Sequence, residues 1–174
     1  MKLKAILSLL LLPLLFSACG GDDDDFWEDG RRNVKEVYIG SDAIQLGTDV
    51  RVDVYFETET EFGSPKDLQL VIKLPPALMY RVGTSKLYFS NHNKDTRSPD
   101  YVTECDDGTS YMFYDLDDDD DLGWVAIDRY DMSFYAIGVE RSEMAVISAR
   151  AGKYLHFSCD SEFHPQEASS VAVR

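Results

Sequence analysis

Hydrophobic and polar residues alternate along much of the chain after residue 33. Val50, Val52, Val54 and Phe56 are separated by Arg51, Asp53, Tyr55 and Glu57. A period of two sends apolar side chains to one face of an extended strand and polar ones to the other, so this segment predicts a strand with one buried face. Leu68, Leu70, Ile72 and Leu74 repeat the pattern around Gln69, Val71 and Lys73. Pro75-Pro76 ends it, because neither residue can donate a backbone hydrogen bond. Further strands are expected at Val34–Ile39, Leu87–Ser90, Tyr111–Leu116, Trp124–Asp128, Ser133–Val139, Met144–Ala149, Tyr154–Cys159 and Ser170–Val173. Gly47-Thr48, Gly83, Ser98-Pro99, Asp107-Gly108 and Gly152 supply turns among them. Short helical turns are expected only at Pro76–Arg81 and Arg141–Ala145. Many short strands, with no long segment of 3.6-residue period, predict an all-β sandwich.

The first residues follow a different pattern. Lys2 and Lys4 precede an apolar run from Ala5 to Phe16, interrupted only by Ser8 and Pro13, and the small residues Ser17 and Ala18 lead into Cys19. A charged start, an apolar middle and a small-residue cut site are the three parts of a secretory signal. The run is shorter than the roughly 20 apolar residues that a membrane-spanning helix needs. Leu15-Phe16-Ser17-Ala18-Cys19 resembles the lipobox of bacterial lipoproteins, with Phe16 where leucine is usual. The resemblance implies that a diacylglyceryl group is added to the Cys19 thiol and that a peptidase cuts before it. Acyl chains contribute about 0.8 kcal/mol per buried methylene, so two or more of them anchor stably. The expected organisation is a signal peptide over residues 1–18, a lipidated cysteine and acidic tether over 19–32, and a β-sandwich domain over 33–174. Asp22 to Asp25 give the tether its charge and keep it extended and hydrated. The expected location is the bacterial cell envelope, lipid-anchored at the outer membrane, with its periplasmic and surface faces both open.

A second resemblance rests on Gly47-Thr48-Asp49-Val50 at a strand start, and on the run from Leu68–Leu74 through Pro75-Pro76-Ala77-Leu78-Met79-Tyr80 to Val82-Gly83-Thr84-Ser85. These segments look like the immunoglobulin-like conserved-repeat domains of bacterial surface and secreted proteins. The resemblance implies an immunoglobulin-like antiparallel β-sandwich used as a stalk, spacer or adhesive module, and it implies no catalysis.

Charge narrows the partners. The chain holds 17 Lys+Arg and 32 Asp+Glu, for a net charge of -15, and loss of Lys2 and Lys4 with the signal makes it more acidic. Such a chain should repel nucleic acid and anionic lipid headgroups, and its acidity leaves two readings open, attraction of cations or basic partners and plain solubility outside the cell. If Cys19 carries lipid, Cys105 and Cys159 remain. In an exported protein an even remainder predicts one disulfide, the alternative being two free buried thiols.

The densest carboxylate cluster is Asp115-Leu116-Asp117-Asp118-Asp119-Asp120-Asp121. Asp117, Asp119 and Asp121 fall at the first three alternating positions of an EF-hand loop with Asp128 twelfth, but Leu122 stands where the sharp turn needs glycine. One residue later Gly123 fits, and Leu122 and Arg129 then occupy ligand positions. The EF-hand pattern fails in both registers. Two readings stay open: a calcium site of another kind on Asp117, Asp119 and Asp121, and a solvated acidic hairpin tip. No other cofactor is expected. His92, His156 and His164 have no partner at ligand or catalytic spacing, and no nucleophile elbow, phosphate loop or dinucleotide fingerprint is present. Ten Tyr, nine Phe and two Trp complete the picture. The groups Tyr111/Phe113/Tyr114 and Tyr130/Phe134/Tyr135 should divide between core and surface, the outward rings offering a strip for a glycan or peptide.

Overall fold

A computed structural model describes residues 32–59, 68–89, 94–116, 127–155 and 157–174. The strands are β1 (Arg32–Ile39), β2 (Ala43–Ile44), β3 (Asp49–Glu59), β4 (Gln69–Leu74), β5 (Leu78–Tyr80), β6 (Lys86–Phe89), β7 (Lys94–Thr96), β8 (Tyr101–Glu104), β9 (Ser110–Asp115), β10 (Ile127–Gly138), β11 (Ser142–Gly152) and β12 (Glu167–Val173). They form two six-stranded sheets. The first runs β1-β3-β10-β6-β7, with β5 also paired to β10; the second runs β2-β12-β11-β4-β9-β8. The pairs are antiparallel except β12 with β2, a short parallel pair joining Ala43 and Ile44 to Ala172 and Val173.

The inner faces carry the alternation seen in the sequence. Val50, Val52, Val54 and Phe56 of β3 and Leu68, Leu70, Ile72 and Leu74 at β4 are all buried in one cluster. Tyr130, Met132, Phe134 and Ala136 of β10 join them, and Phe56 stacks on Tyr130 with ring centroids 5.1 Å apart. Full burial of each large side chain stabilises by about 1.5–3 kcal/mol, which makes this layer the main source of cohesion. A bulge in β1 between Val34 and Glu36 leaves Lys35 out of register. Val34 and Val37 therefore both reach the core although three positions separate them.

Within the core three hydroxyls form a chain. Tyr80 Oη and Ser85 Oγ are 2.7 Å apart, and Ser85 Oγ and Tyr114 Oη 2.9 Å. Burial pushes the Tyr114 phenol upward in pKa, and its hydrogen bond with Ser85 offsets part of that.

At the domain's N-terminal side, Gln166 joins the two sheets. Its Oε1 accepts from the Val34 and Ala151 N–H groups at 2.8 and 2.9 Å. Its Nε2 donates to the Arg32 and Ala151 carbonyls at 3.0 Å each. The amide's two donors and two acceptor sites are all used, on β1 of one sheet and β11 of the other.

Several expectations are corrected. Trp124–Asp128 and Ser133–Val139 are separate strands by pattern; residues 124–126 lie outside the described residues, and from Ile127 on there is one 12-residue strand, because Tyr130 and Met132 keep the buried phase of Phe134 and Ala136. Pro76–Arg81 is no helical turn: Leu78 N–H closes a turn on the Pro75 carbonyl at 3.0 Å, and Leu78–Tyr80 then pairs with β10. Arg141–Ala145 opens β11 instead, with a bulge that turns Ala145 into the core. The described residues of Tyr154–Cys159 form no strand. Tyr154 takes a left-handed backbone, φ 52°, just past the end of β11, and Leu155 N–H bonds to Gln69 Oε1 at 2.7 Å rather than to a ladder. The turns at Gly47 and Gly83 match expectation, with φ of 76° and 78° that only glycine adopts freely.

Candidate functional site

The two outer faces of the sandwich differ. On the second sheet, Val71, Tyr111 and Phe113 point outward and are buried nonetheless. The connection from β11 to β12 crosses them, laying Leu155, Phe157 and Phe163 over the strands. Phe157 lies 4.9 Å from Tyr111 and 6.1 Å from Tyr101 between ring centroids, and Tyr101 stacks on Phe113 at 4.5 Å. Cys105, just after β8, is joined to Cys159 in this strap by a disulfide with Cα atoms 5.5 Å apart. The pairing expected from the cysteine count is present. The hairpin after Cys105 is itself fixed: Asp107 accepts from the Thr109 N–H at 2.8 Å, which holds its carboxyl below the usual range.

The outer face of the first sheet is tyrosine-rich, and among the described residues no segment crosses it as the strap crosses the second. Tyr38 is 50% exposed, Tyr55 38% and Tyr135 42%, and the partly buried Tyr88 lies among them. They come from β1, β3, β10 and β6. The register places Asp131 directly across from Tyr55 on one side and Tyr88 on the other. One row along, Asp53 stands opposite Tyr38 and Ser133, and Ser133 opposite Lys86. Rings therefore surround a polar centre of Arg51, Asp53, Asp131 and Ser133.

That centre is strained electrostatically. Asp53 is buried, 4% exposed, and its Oδ1 accepts from Arg51 Nε and Nη2, both at 2.8 Å. The hydrogen bond to Asp53 raises the Arg51 pKa. Asp131 is about half buried and its Oδ1 has no hydrogen-bond partner among the described residues. Burial first, and the neighbouring Asp53 second, push its pKa up to about 6, while Arg51 pulls it down. Burial also raises Tyr55, aided by Asp131 and Asp53. At the end of the face, Glu57 meets Lys35 at 3.2 Å and Arg129 at 3.1 Å.

The remaining expected site residues fare differently. Cys19, Asp117, Asp119 and Asp121 lie outside the described residues, as do His92 and His156. His164 is exposed, with Glu162 at 3.8 Å. Among the described residues no three His, Cys, Asp or Glu side chains converge as a metal site would require. Of the aromatic groups, Tyr114, Tyr130 and Phe134 belong to the core, Tyr111 and Phe113 lie under the strap, and Tyr135 is on the open face. Sequence reading did not single out Tyr38, Tyr55, Tyr88 or Asp131. Their signal was present only as polar-phase tyrosines in amphipathic strands.

No protein-family profile and no curated protein sequence matches the chain. Solved structures do match in fold. The major pilin SpaA of Corynebacterium diphtheriae aligns at TM-score 0.56 and 10% identity, over 82% of this chain and 37% of the pilin. The pilus 2b backbone protein of group B streptococcus aligns at 0.45 and 10%, over 79% of this chain and 56% of that protein. The collagen-binding domain of a Staphylococcus aureus adhesin aligns at 0.41 and 10%, over 72% and 87%. The chain thus spans about half of the streptococcal protein and little more than a third of the diphtherial pilin. Of the three, SpaA exceeds one half in TM-score, and at such identity the likeness is one of fold alone. The chain is an immunoglobulin-like β-sandwich. SpaA is described as stabilised by isopeptide bonds; the buried polar residues described here are Asp53, Ser85, Thr109, Ser133 and Ser148, with no lysine or asparagine among them. Among the described residues the covalent cross-link is the disulfide.

Proposed function

We propose that this chain is a non-catalytic, lipid-anchored protein of the bacterial envelope or surface, whose sandwich is an adhesive or binding module. The observation that carries the reading is the asymmetry of the two outer faces. Around β4, β8 and β9 the second sheet is sealed by a disulfide-held strap, whereas the first presents tyrosines around a buried polar centre. Rigid rings of this kind give large contact area at low entropic cost. The sandwich fold shared with a surface pilin supports the location, and the lipobox-like segment at Leu15–Cys19 supports the anchor. The disulfide agrees with an oxidising compartment.

The test uses intact cells producing the wild type and Cys19→Ser. The wild type should partition with membranes, carry acyl label and be cut by protease added outside. Cys19→Ser should lose label and membrane association together. Full acyl labelling of the variant would end the anchor; protection from external protease would place the domain on the periplasmic face.

A further inference from the structure

We propose that the outer face of the first sheet binds a neutral glycan chain, whose sugar rings pack on Tyr38, Tyr55 and Tyr135 and whose hydroxyls bond to Arg51. The inference rests on the reading of this chain as a binding module and names its ligand class. Arg51 is the starting point. It stands on β3 directly across from Tyr135 of β10, one outward position from Asp53, whose partner on β1 is Tyr38. Its side chain is 49% exposed, against 6% for Asp53. Its Nε and Nη2 are both fixed on Asp53 Oδ1 at 2.8 Å. A guanidinium carries five N–H donors. Asp53 therefore holds a half-exposed side chain in place and leaves it donors to spare.

The rings stand around that group. Tyr38 is the diagonal neighbour of both Tyr55 and Arg51 across the β1–β3 pair. Diagonal neighbours lie about 7–8 Å apart. Tyr135 is two strands away from Tyr38, about 10 Å across the sheet. Rings at these spacings on one flat face suit a short oligosaccharide laid along it. The C–H faces of a hexose pack on a tyrosine ring as apolar surface, and the phenol oxygen keeps a hydroxyl within reach.

Charge selects a neutral ligand. Arg51, Lys86 and Arg129 take outward positions on these strands, and Lys35 joins them through its contact with Glu57. Glu36, Asp53, Glu57 and Asp131 take outward positions too. The next outward carboxylate, Asp49, is paired with Arg81. The face is thus balanced, in a chain whose net charge is -15. A polyanion meets the repulsion of the whole chain, and a polycation finds no excess of carboxylates here. Asp131 Oδ1 is enclosed and takes no part.

Composition separates a glycan from a protein partner. Between the Glu57–Arg129 row and the Arg51–Tyr135 row, the outward positions of β1, β3, β6 and β10 hold no aliphatic side chain. The core of a protein–protein interface is depleted of charge and more apolar than its rim. Here the middle is charged and hydrogen-bonding, and the apolar area is ring surface. That combination matches a chain of hydroxyls and C–H faces.

The test presents the purified full chain to an immobilised panel of neutral, uronic-acid-bearing and amino-bearing oligosaccharides together with neutral dodecapeptides, and measures affinity for what is retained by calorimetry. Neutral oligosaccharides should be retained and the two charged classes should not. Tyr38→Ala and Tyr135→Ala should each weaken binding about tenfold, the loss of one packed ring. Arg51→Lys, which keeps the charge and loses the fork, should weaken it several-fold. The two ring variants leave the Arg51–Asp53 pair intact, so they decide the matter if Arg51→Lys lowers stability. Tyr154→Asn, at an exposed ring beyond the end of β11, should change affinity by less than about twofold. Neutral-glycan binding undiminished by both ring variants would move the site off this face and overturn the proposal, and so would retention of a charged class alone. Retention of a peptide alone, lost in Tyr38→Ala, would overturn the glycan and keep the binding module. An empty panel, with the domain folded, would remove both.

Discussion

Replacing Gln166 by alanine isolates the junction between the two sheets. The side chain makes four hydrogen bonds, two accepted and two donated, at 2.8 to 3.0 Å. Its removal leaves the Val34 and Ala151 N–H groups and the Arg32 and Ala151 carbonyls without these partners. A typical bond contributes about 1 kcal/mol net, and an orphaned buried group costs about 1–3 kcal/mol. The site is only partly buried, so water recovers part of that. The expected loss is about 2–4 kcal/mol. For a domain of this size it corresponds to a fall in Tm of roughly 10 °C. Gln166→Glu is a sharper probe. It keeps the shape and the acceptors but turns the donor toward two carbonyls into a charged oxygen at neutral pH. It should cost at least as much as alanine at pH 7 and less near pH 4, where the acid is protonated. Urea unfolding gives the free energies, and amide exchange at Val34 and Ala151 locates them. A control, Gln45→Ala in an exposed turn, should lie within about 0.5 kcal/mol of wild type. If Gln166→Ala also lies within 0.5 kcal/mol, the idea that this amide couples the sheets is wrong.

Other expectations come from the cross-link, the open face and the core hydroxyls. The double variant Cys105→Ser/Cys159→Ser should lose up to about 4 kcal/mol by the chain-entropy relation for a separation of 54 residues. It should also become sensitive to limited proteolysis between residues 153 and 166, and an unchanged digestion pattern would show that the aromatic contacts hold the strap alone. Asp131→Asn should stabilise the fold at pH 7 by about 1 kcal/mol, a figure discounted for the group's partial exposure. The sign follows from a folded pKa of about 6 above the ordinary 3.8. Between those values the native state binds more protons than the unfolded one, so stability falls as pH rises through the window. The gap between variant and wild type should therefore close below about pH 4, and a gap independent of pH would refute the assignment. Tyr114→Phe should cost about 1 kcal/mol in urea unfolding, because Ser85 keeps Tyr80 as a partner while one bond of the buried chain is lost.

The main strands were legible because burial on one face imposes a period of two, which Val50–Phe56 obeys throughout and Leu68–Leu74 obeys except at Val71, the outward residue that the strap covers. The disulfide was legible from the cysteine number together with the expectation of export. Short strands were not: β2, β5, β7 and β8 have two to four residues each and exist because a longer neighbour offers them a ladder. The strap was misread for a specific reason. Leu155 and Phe157 do alternate as strand residues would, but they cover the outside of a sheet rather than the inside of a sandwich. One clue was in the sequence. Tyr111, Met112, Phe113 and Tyr114 are aromatic or apolar on both phases, which a strand with one wet face would not tolerate. The open face was hidden more deeply, because its rings lie on four strands distant in sequence and only the register unites them.

The disulfide also governs how the molecule can lengthen. It closes a ring from residue 105 to residue 159 that contains β9, β10 and β11, central strands of both sheets. Tension applied through the two ends cannot extend that ring. At roughly 3.4 Å per residue, about 180 Å of chain is withheld from any stretching event. What can be drawn out is the chain before Cys105 and the chain after Cys159. A pull from the N-terminal side meets β1 first, held by β3 and by the Gln166 amide. A load entering from the N-terminal side would therefore be felt first by β1 and β3, while β10, at the middle of the first sheet, would stay inside the closed ring.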